Sequence, residues 1–275
     1  IWLAYTYLRM GMIDTARIQV KSIQSSSFQG DEKFYLIHNI LAEIAMETDS
    51  VESIYSHYEK AARFAPTKSK QTSTYGKLVR IAEDHQDKER ASEYLVRLAD
   101  VAPDNIRIDS RMKWITYQRE LGKYDEIISE IQRMLGMSEF ESEYIHLELE
   151  LGKVYMESGD LSLAKEIFSQ MVEIYSKKDE TSEAYYHMGY MALMEDFNLD
   201  LAREYFENSK TEKSSSTYGK ESKNLLNKIS QYESLQDRYK NAVKNLEEKV
   251  ENEQADLENI ENEELDNSQE MSKDN

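Results

Sequence analysis

Apolar and small residues recur at helical spacing along most of the chain, in short blocks that end at glycine, proline or serine-rich turns. Only two prolines and nine glycines are present, which favours helix nearly throughout. Pro66 and Pro103 are 37 residues apart, and each follows the end of a helical pattern. Gly122 and Gly159 lie in turns with the same 37-residue separation. This period predicts a solenoid of stacked helical pairs joined by tight turns.

The clearest repeat is the stretch LGKVYMESGDLSLAKEIF at residues 151–168. Its spacing of small and aromatic residues resembles the tetratricopeptide repeat family, and so does the following repeat, which has one extra residue in its turn. The matching positions are Leu151, Gly152, Tyr155, Gly159, Ala164 and Phe168, then Gly189, Ala202 and Phe206, with Pro66 and Pro103 in weaker repeats. The resemblance covers about residues 1–210. It implies an all-α, right-handed superhelical solenoid of about six helix-turn-helix repeats.

These repeat positions are expected to serve packing. Gly152 has no side chain, so the two helices of its repeat can approach closely, and Tyr155 fills the space beside it. Gly159 can adopt the positive φ that ends a helix, and Asp160 can cap the next helix through its carboxylate. Phe168 is expected to pack into the following repeat.

The two ends of the chain depart from the repeat. Ile1 falls inside the first helix of a repeat, so we expect that repeat to be truncated and preceded by further chain. After the array, apolar residues from Leu225 to Leu246 form one stripe, which predicts a long amphipathic helix over 211–250 that caps the solenoid. A short coiled coil in its second half is the alternative. Residues 251–275 hold ten acidic residues and one lysine, which predicts a solvated, disordered tail.

Composition and motifs argue against catalysis and nucleic-acid binding. The net charge of -19 repels phosphate, and without cysteine the chain has neither disulfides nor thiolate zinc sites. No histidine pair has zinc-motif spacing, and the sequence contains neither a glycine-rich phosphate loop nor a nucleophile elbow. No apolar run is long enough for a membrane span. We therefore predict a non-enzymatic protein with no catalytic residues, cofactor or metal.

The resemblance implies that the first helix of each repeat lines a concave groove. The predicted groove residues have an apolar end and a locally basic centre: Tyr186, Tyr190, Leu193 and Met194, then Lys77, Arg80 and Lys113. Tyrosine and methionine favour adaptable apolar contacts, and the basic residues are expected to steer an acidic segment of a partner. The alternative is that the tyrosines pack against the long final helix.

The leading functional prediction is a scaffold that holds a peptide or protein segment in its groove, as a monomer or as a weak dimer through the C-terminal helix. One alternative is a bacterial envelope-assembly component, periplasmic or lipid-anchored, which the resemblance also suggests. The other is a helical accessory domain of a larger enzyme or sensor. The location is accordingly predicted as the cytoplasm or the bacterial envelope.

Overall fold

The computed structural model describes residues 1–24, 30–48, 50–195 and 197–271, and these residues form α-helices without any strand. This confirms the predicted all-α fold class. The helices are α1 Trp2–Arg9, α2 Ile13–Gln24, α3 Asp31–Thr48, α4 Val51–Arg63, α5 Lys68–Asp84, α6 Lys88–Val101, α7 Asp104–Glu120, α8 Tyr124–Leu135, α9 Tyr144–Ser158, α10 Leu161–Ile174, α11 Asp179–Met194, α12 Leu199–Lys213 and α13 Thr217–Met271. A 3-10 helix, Ser138–Glu143, precedes α9.

The first twelve helices follow one another as six consecutive pairs, and α13 follows them as a single long helix. This confirms the predicted array of helix-turn-helix repeats with a long C-terminal helix. The prolines have the predicted role: Pro66 lies between α4 and α5, and Pro103 directly precedes α7.

The turn chemistry is also as predicted. Gly159 has φ +91° between α9 and α10, and Gly11 and Gly122 have φ +73° and +70° in the corresponding turns of other pairs. The carboxylate of Asp160 accepts a hydrogen bond of 3.2 Å from the backbone N–H of Leu163, which caps α10. Local backbone rules therefore determine where these helices end and begin.

The chain forms two compact units, Ile1–Ala164 and Lys165–Asn275. Within the first unit, hydrogen bonds join the second helical pair to the third and the third to the fourth. The Tyr94 hydroxyl donates to Glu59 at 2.7 Å, and the Tyr117 hydroxyl donates to Glu83 at 3.0 Å. Burial and the bond to Glu83 raise the pKa of Tyr117 to about 12, so this phenol remains a donor at any physiological pH.

Small and aromatic positions of the repeat are buried in the structure. Ala164, Phe168, Ala202 and Phe206 are fully buried, and Leu151 is almost so. In the second unit, Phe168 stacks on His187 with ring centroids 5.5 Å apart. Tyr155 is only half-buried, and its hydroxyl accepts a hydrogen bond from Gln132 at 3.4 Å.

The second unit is built around Ala192, Ala202, Phe206, Leu226 and Ile229, which join α11, α12 and α13 in one apolar core. The predicted boundary at residue 210 therefore falls within a packed unit. It also falls inside α12, which runs to Lys213. In the first half of α13, Leu226 and Ile229 supply the side chains that pack against α11 and α12.

The structure corrects the prediction of a disordered tail, because α13 continues without interruption through Val250 to Met271; residues 272–275 lie outside the described residues. The sequence after Gly219 contains no glycine or proline and is rich in Glu, Lys, Gln and Leu, all good helix formers. Two ion pairs support this part of the helix, each between residues one turn apart: Lys244–Glu248 at 3.7 Å and Lys249–Glu253 at 3.8 Å. The second pair spans the predicted boundary.

Candidate functional site

Two of the four predicted groove residues on α11 pack against the protein core instead of lining an open surface. Tyr186 and Leu193 lie against the core of the second unit. The Tyr186 ring is 5.0 Å from the Tyr218 ring of α13 and 5.9 Å from the Phe206 ring, measured between centroids. Burial, together with Glu221 of α13, raises the pKa of Tyr186. Tyr186 therefore packs against α13, which is the alternative that the sequence leaves open for the tyrosines, and Leu193 packs against the same core.

The other two predicted residues of α11 remain accessible. Tyr190 is 43% exposed and Met194, one turn further on, is 68% exposed. Tyr190 stacks on the half-buried Tyr186 with ring centroids 6.5 Å apart, so one of its faces is supported and the other is free for contact. These two side chains are the part of the predicted α11 surface that remains exposed.

Two further exposed aromatic residues lie in the same unit. Phe197 follows α11 in the turn to α12, where it has φ +46°, and its ring meets the Tyr232 ring of α13 edge-on at 5.9 Å. We call Tyr190, Met194, Phe197 and Tyr232 the aromatic strip. Sequence reasoning missed Phe197 and assigned Tyr232 to the apolar stripe of α13. The available signal for Phe197 was a large apolar residue in the polar turn EDFNLD.

The predicted basic residues belong to the first unit, and carboxylates pair with two of them. Lys77 lies 3.6 Å from Glu43 and also sits over the Tyr58 ring. Lys113 lies 2.6 Å from Glu83. Arg80 is exposed on α5. Each of these two lysines meets a carboxylate from the first helix of the preceding pair, which offsets part of the positive charge that the sequence places there.

The same pairing continues along the first unit. Arg119 of α7 contacts Glu150 of α9, which also pairs with Lys153 at 2.9 Å. Burial by itself would raise the pKa of Glu150, but Lys153 and Arg119 hold it below its usual range. Ion pairs thus join the first helices α3, α5, α7 and α9 in succession, and they leave less charge available for steering a partner.

The described residues offer neither a metal-binding cluster nor a membrane-spanning helix. They contain no group of three or more His, Asp or Glu side chains placed to hold a metal ion. None of the helices in this part of the chain is long and apolar enough to cross a membrane.

A histidine pair joins α3 to α4 in the first unit. The Nδ1 atoms of His38 and His57 are 3.3 Å apart, and their rings stack with centroids 5.5 Å apart. The His38 ring also stacks near Phe64. Burial, His57 and Lys60 lower the pKa of His38 from 6.5 to about 4. The ring is therefore neutral near pH 7, and it can donate or accept the bond to His57.

We expect the stability of the first unit to fall as the pH is lowered from 6.5 towards 4. The folded state has the lower pKa at His38, so the unfolded state binds more protons in this range and acid favours unfolding. We expect the free energy of unfolding to fall by about 1 kcal/mol over this range. This is less than the full pKa shift of His38 would give, because partial exposure screens the charge. Urea titrations followed through Trp114 fluorescence measure it. His38→Gln should flatten the pH dependence, whereas His85→Gln, at an exposed histidine, should leave it unchanged.

The chain matches no family model and no curated protein. Among solved structures it is similar to YrrB, described as a TPR protein with an unusual peptide-binding site, at 14% identity and a TM-score of 0.44, covering 74% of this chain and 96% of that one. It is also similar to MamA at 17% identity and 0.45, covering 66% and 93%. PilW, a widely conserved type IV pilus biogenesis factor, aligns at 15% identity and 0.40, covering 79% and 93%. All three TM-scores are below 0.5, so the fold assignment rests on the helices described above.

Proposed function

We propose that this protein is a non-enzymatic interaction scaffold that holds a peptide or protein segment on the aromatic strip of its second unit. The observation that carries the proposal is the contrast within α11: Tyr186 is packed beneath α13, whereas Tyr190 and Met194 on the same helix stay exposed. Large apolar side chains that remain accessible beside a packed core typically mark interaction sites.

The strip has the chemistry of an interaction hot spot. Tyrosine and phenylalanine offer large, rigid contact areas at low entropic cost, and a methionine beside them adapts to different side chains. We therefore expect the bound segment to contribute aromatic or aliphatic anchors. The net charge of -19 favours basic or neutral residues around those anchors rather than the acidic segment expected from the sequence.

We expect Tyr190→Ala to weaken binding of such a segment at least tenfold, or about 1.4 kcal/mol, with little loss of stability. Peptides selected from a random library against the intact chain serve as ligands, and fluorescence polarisation gives Kd for each variant. Tyr5→Ala is the matched control, because Tyr5 is an exposed tyrosine of the first unit and lies outside the strip. It should leave Kd unchanged.

A thermal melt of each variant separates binding from folding. Tyr186→Ala should lower the melting temperature, since it removes a ring from the core, whereas Tyr190→Ala should not. Equal peptide affinity for the Tyr190→Ala variant and the unaltered chain would place the interaction elsewhere. A large drop in melting temperature for Tyr190→Ala would make it a packing residue, and the proposed site would be withdrawn.

A further inference from the structure

The distal part of α13 carries an apolar stripe that no described part of the chain covers. Tyr239, Leu246 and Val250 are 71%, 63% and 51% exposed. Together with the half-buried Val243, they follow the seven-residue repeat of a coiled coil, with Val243 and Val250 at a positions and Tyr239 and Leu246 at d positions. We call these four residues the distal stripe.

A helix of this kind favours a helical partner. From Leu235 to Met271 it extends for about 55 Å at the usual rise of ~1.5 Å per residue. Apolar residues on one side of such a helix gain by packing against another helix, and the seven-residue spacing is the geometry that a second helix fits.

We propose that the distal stripe binds the same stripe of a second copy of this chain, with the two helices antiparallel. The register that fits places Val243 opposite Leu246 of the second copy, and Val250 opposite its Tyr239. Each of these layers then occurs twice, related by the two-fold axis of the dimer.

The polar residues within the heptad pattern support this register. Gln236 occupies an a position and Glu253 a d position. In the antiparallel register the same spacing brings Gln236 opposite Glu253 of the second copy, so that the amide can donate to the carboxylate. In a parallel pair the two Glu253 carboxylates would face each other, and burying two like charges is costly.

Charge distribution along α13 supports the antiparallel orientation independently. Residues 236–245 contain three basic residues and one acidic residue, whereas residues 247–256 contain five acidic residues and one basic residue. An antiparallel pair sets the basic segment of one copy beside the acidic segment of the other. The e positions that flank this stripe also favour the antiparallel orientation, because Lys240 then lies beside Glu247 of the second copy. A parallel pair would instead align the two acidic segments.

The oligomeric state of the full chain tests the interface. Sedimentation equilibrium at micromolar to hundreds of micromolar protein should show a reversible monomer–dimer equilibrium. Leu246→Glu should raise the dimer Kd at least tenfold, because it places a carboxylate in the packed layer. Asn245→Glu adds the same charge at an exposed position one residue away and should leave dimer formation nearly unchanged. A chain that stays monomeric throughout, or a dimer that is indifferent to Leu246→Glu, would overturn the proposal.

A charge exchange tests the orientation. Lys240→Glu and Glu247→Lys should each weaken the dimer severalfold, and the double variant should restore it, because these residues meet across the antiparallel interface. In a parallel coiled coil, Lys240 lies beside Leu235 and Glu247 beside Ala242, so the double variant would bring no specific rescue. A dimer without such rescue would refute the antiparallel register.

Discussion

Replacing Gly189 with leucine is expected to lower the free energy of unfolding of the second unit by about 3 kcal/mol. A Cβ atom built at Gly189 would lie only 2.7–3.0 Å from three ring carbons of Phe206, closer than unbonded carbon atoms approach. Phe206 is fully buried and in ring contact with Tyr186, so its ring has no open space to move into. The larger leucine side chain can be accommodated only by moving α11 away from α12.

Urea unfolding followed by far-UV circular dichroism measures this effect, and a matched glycine provides the control. Gly76 lies inside α5, where an added Cβ would meet nothing within 4 Å. Gly76→Ala should therefore stabilise the chain by up to about 1 kcal/mol through helix propensity. Gly189→Ala should destabilise it, despite the same gain in propensity. If both alanine variants were stabilising, the close approach of α11 and α12 at Gly189 would be contradicted.

Replacing Ser209 with alanine is expected to destabilise the second unit by about 2 kcal/mol. Ser209 and Ser182 are fully buried and exchange hydrogen bonds: the Ser182 hydroxyl donates to the Ser209 carbonyl at 2.9 Å, and the Ser209 hydroxyl donates to the Ser182 carbonyl at 2.7 Å. The Ser222 hydroxyl of α13 donates to the Ser209 hydroxyl at 2.9 Å. Removing this one oxygen atom would deprive Ser222 of its acceptor and the Ser182 carbonyl of a donor.

The control for this variant is the same change on the surface. The hydroxyl of Ser129 donates to the Asp125 carbonyl in an exposed part of α8, where water can replace the lost bond. Ser129→Ala should change the free energy of unfolding by less than about 0.5 kcal/mol. A similar loss of unfolding free energy in both variants would show that burial of Ser182, Ser209 and Ser222 does not strengthen their hydrogen bonds. These three serines would then not account for the stability of the contact between α11, α12 and α13.

The disordered-tail prediction failed because it weighed the charge density of residues 251–275 and neglected local propensity. High charge and few apolar residues indicate that a segment cannot form a core of its own. They do not prevent it from continuing an established helix, since extending a helix avoids the cost of nucleation. The absence of glycine and proline after Gly219 was visible in the sequence and pointed to such a continuation.

The structure divides the predicted groove residues of α11 between packing and exposure. Tyr186 and Tyr190 are four residues apart on one helix, so the sequence places them on the same side of α11. The burial of each side chain depends on where α13 packs against α11, because Tyr218 contacts Tyr186 and leaves Tyr190 partly exposed. Whether the charges of Lys77 and Lys113 are offset likewise depends on carboxylates about 30 residues away in the chain. Only the stacking of helical pairs brings these carboxylates close.

The sequence by itself determined the six helical pairs, the turns at Gly122 and Gly159, the cap at Asp160, and the burial of Ala202 and Phe206. Each follows from backbone conformation or from residue spacing within a single repeat, and such short-range constraints act wherever the repeat occurs. Only the tertiary structure decided which aromatic residues stay exposed and which charges are neutralised. Those outcomes depend on distances between helices that are remote in sequence, and residue spacing along one helix carries no information about them.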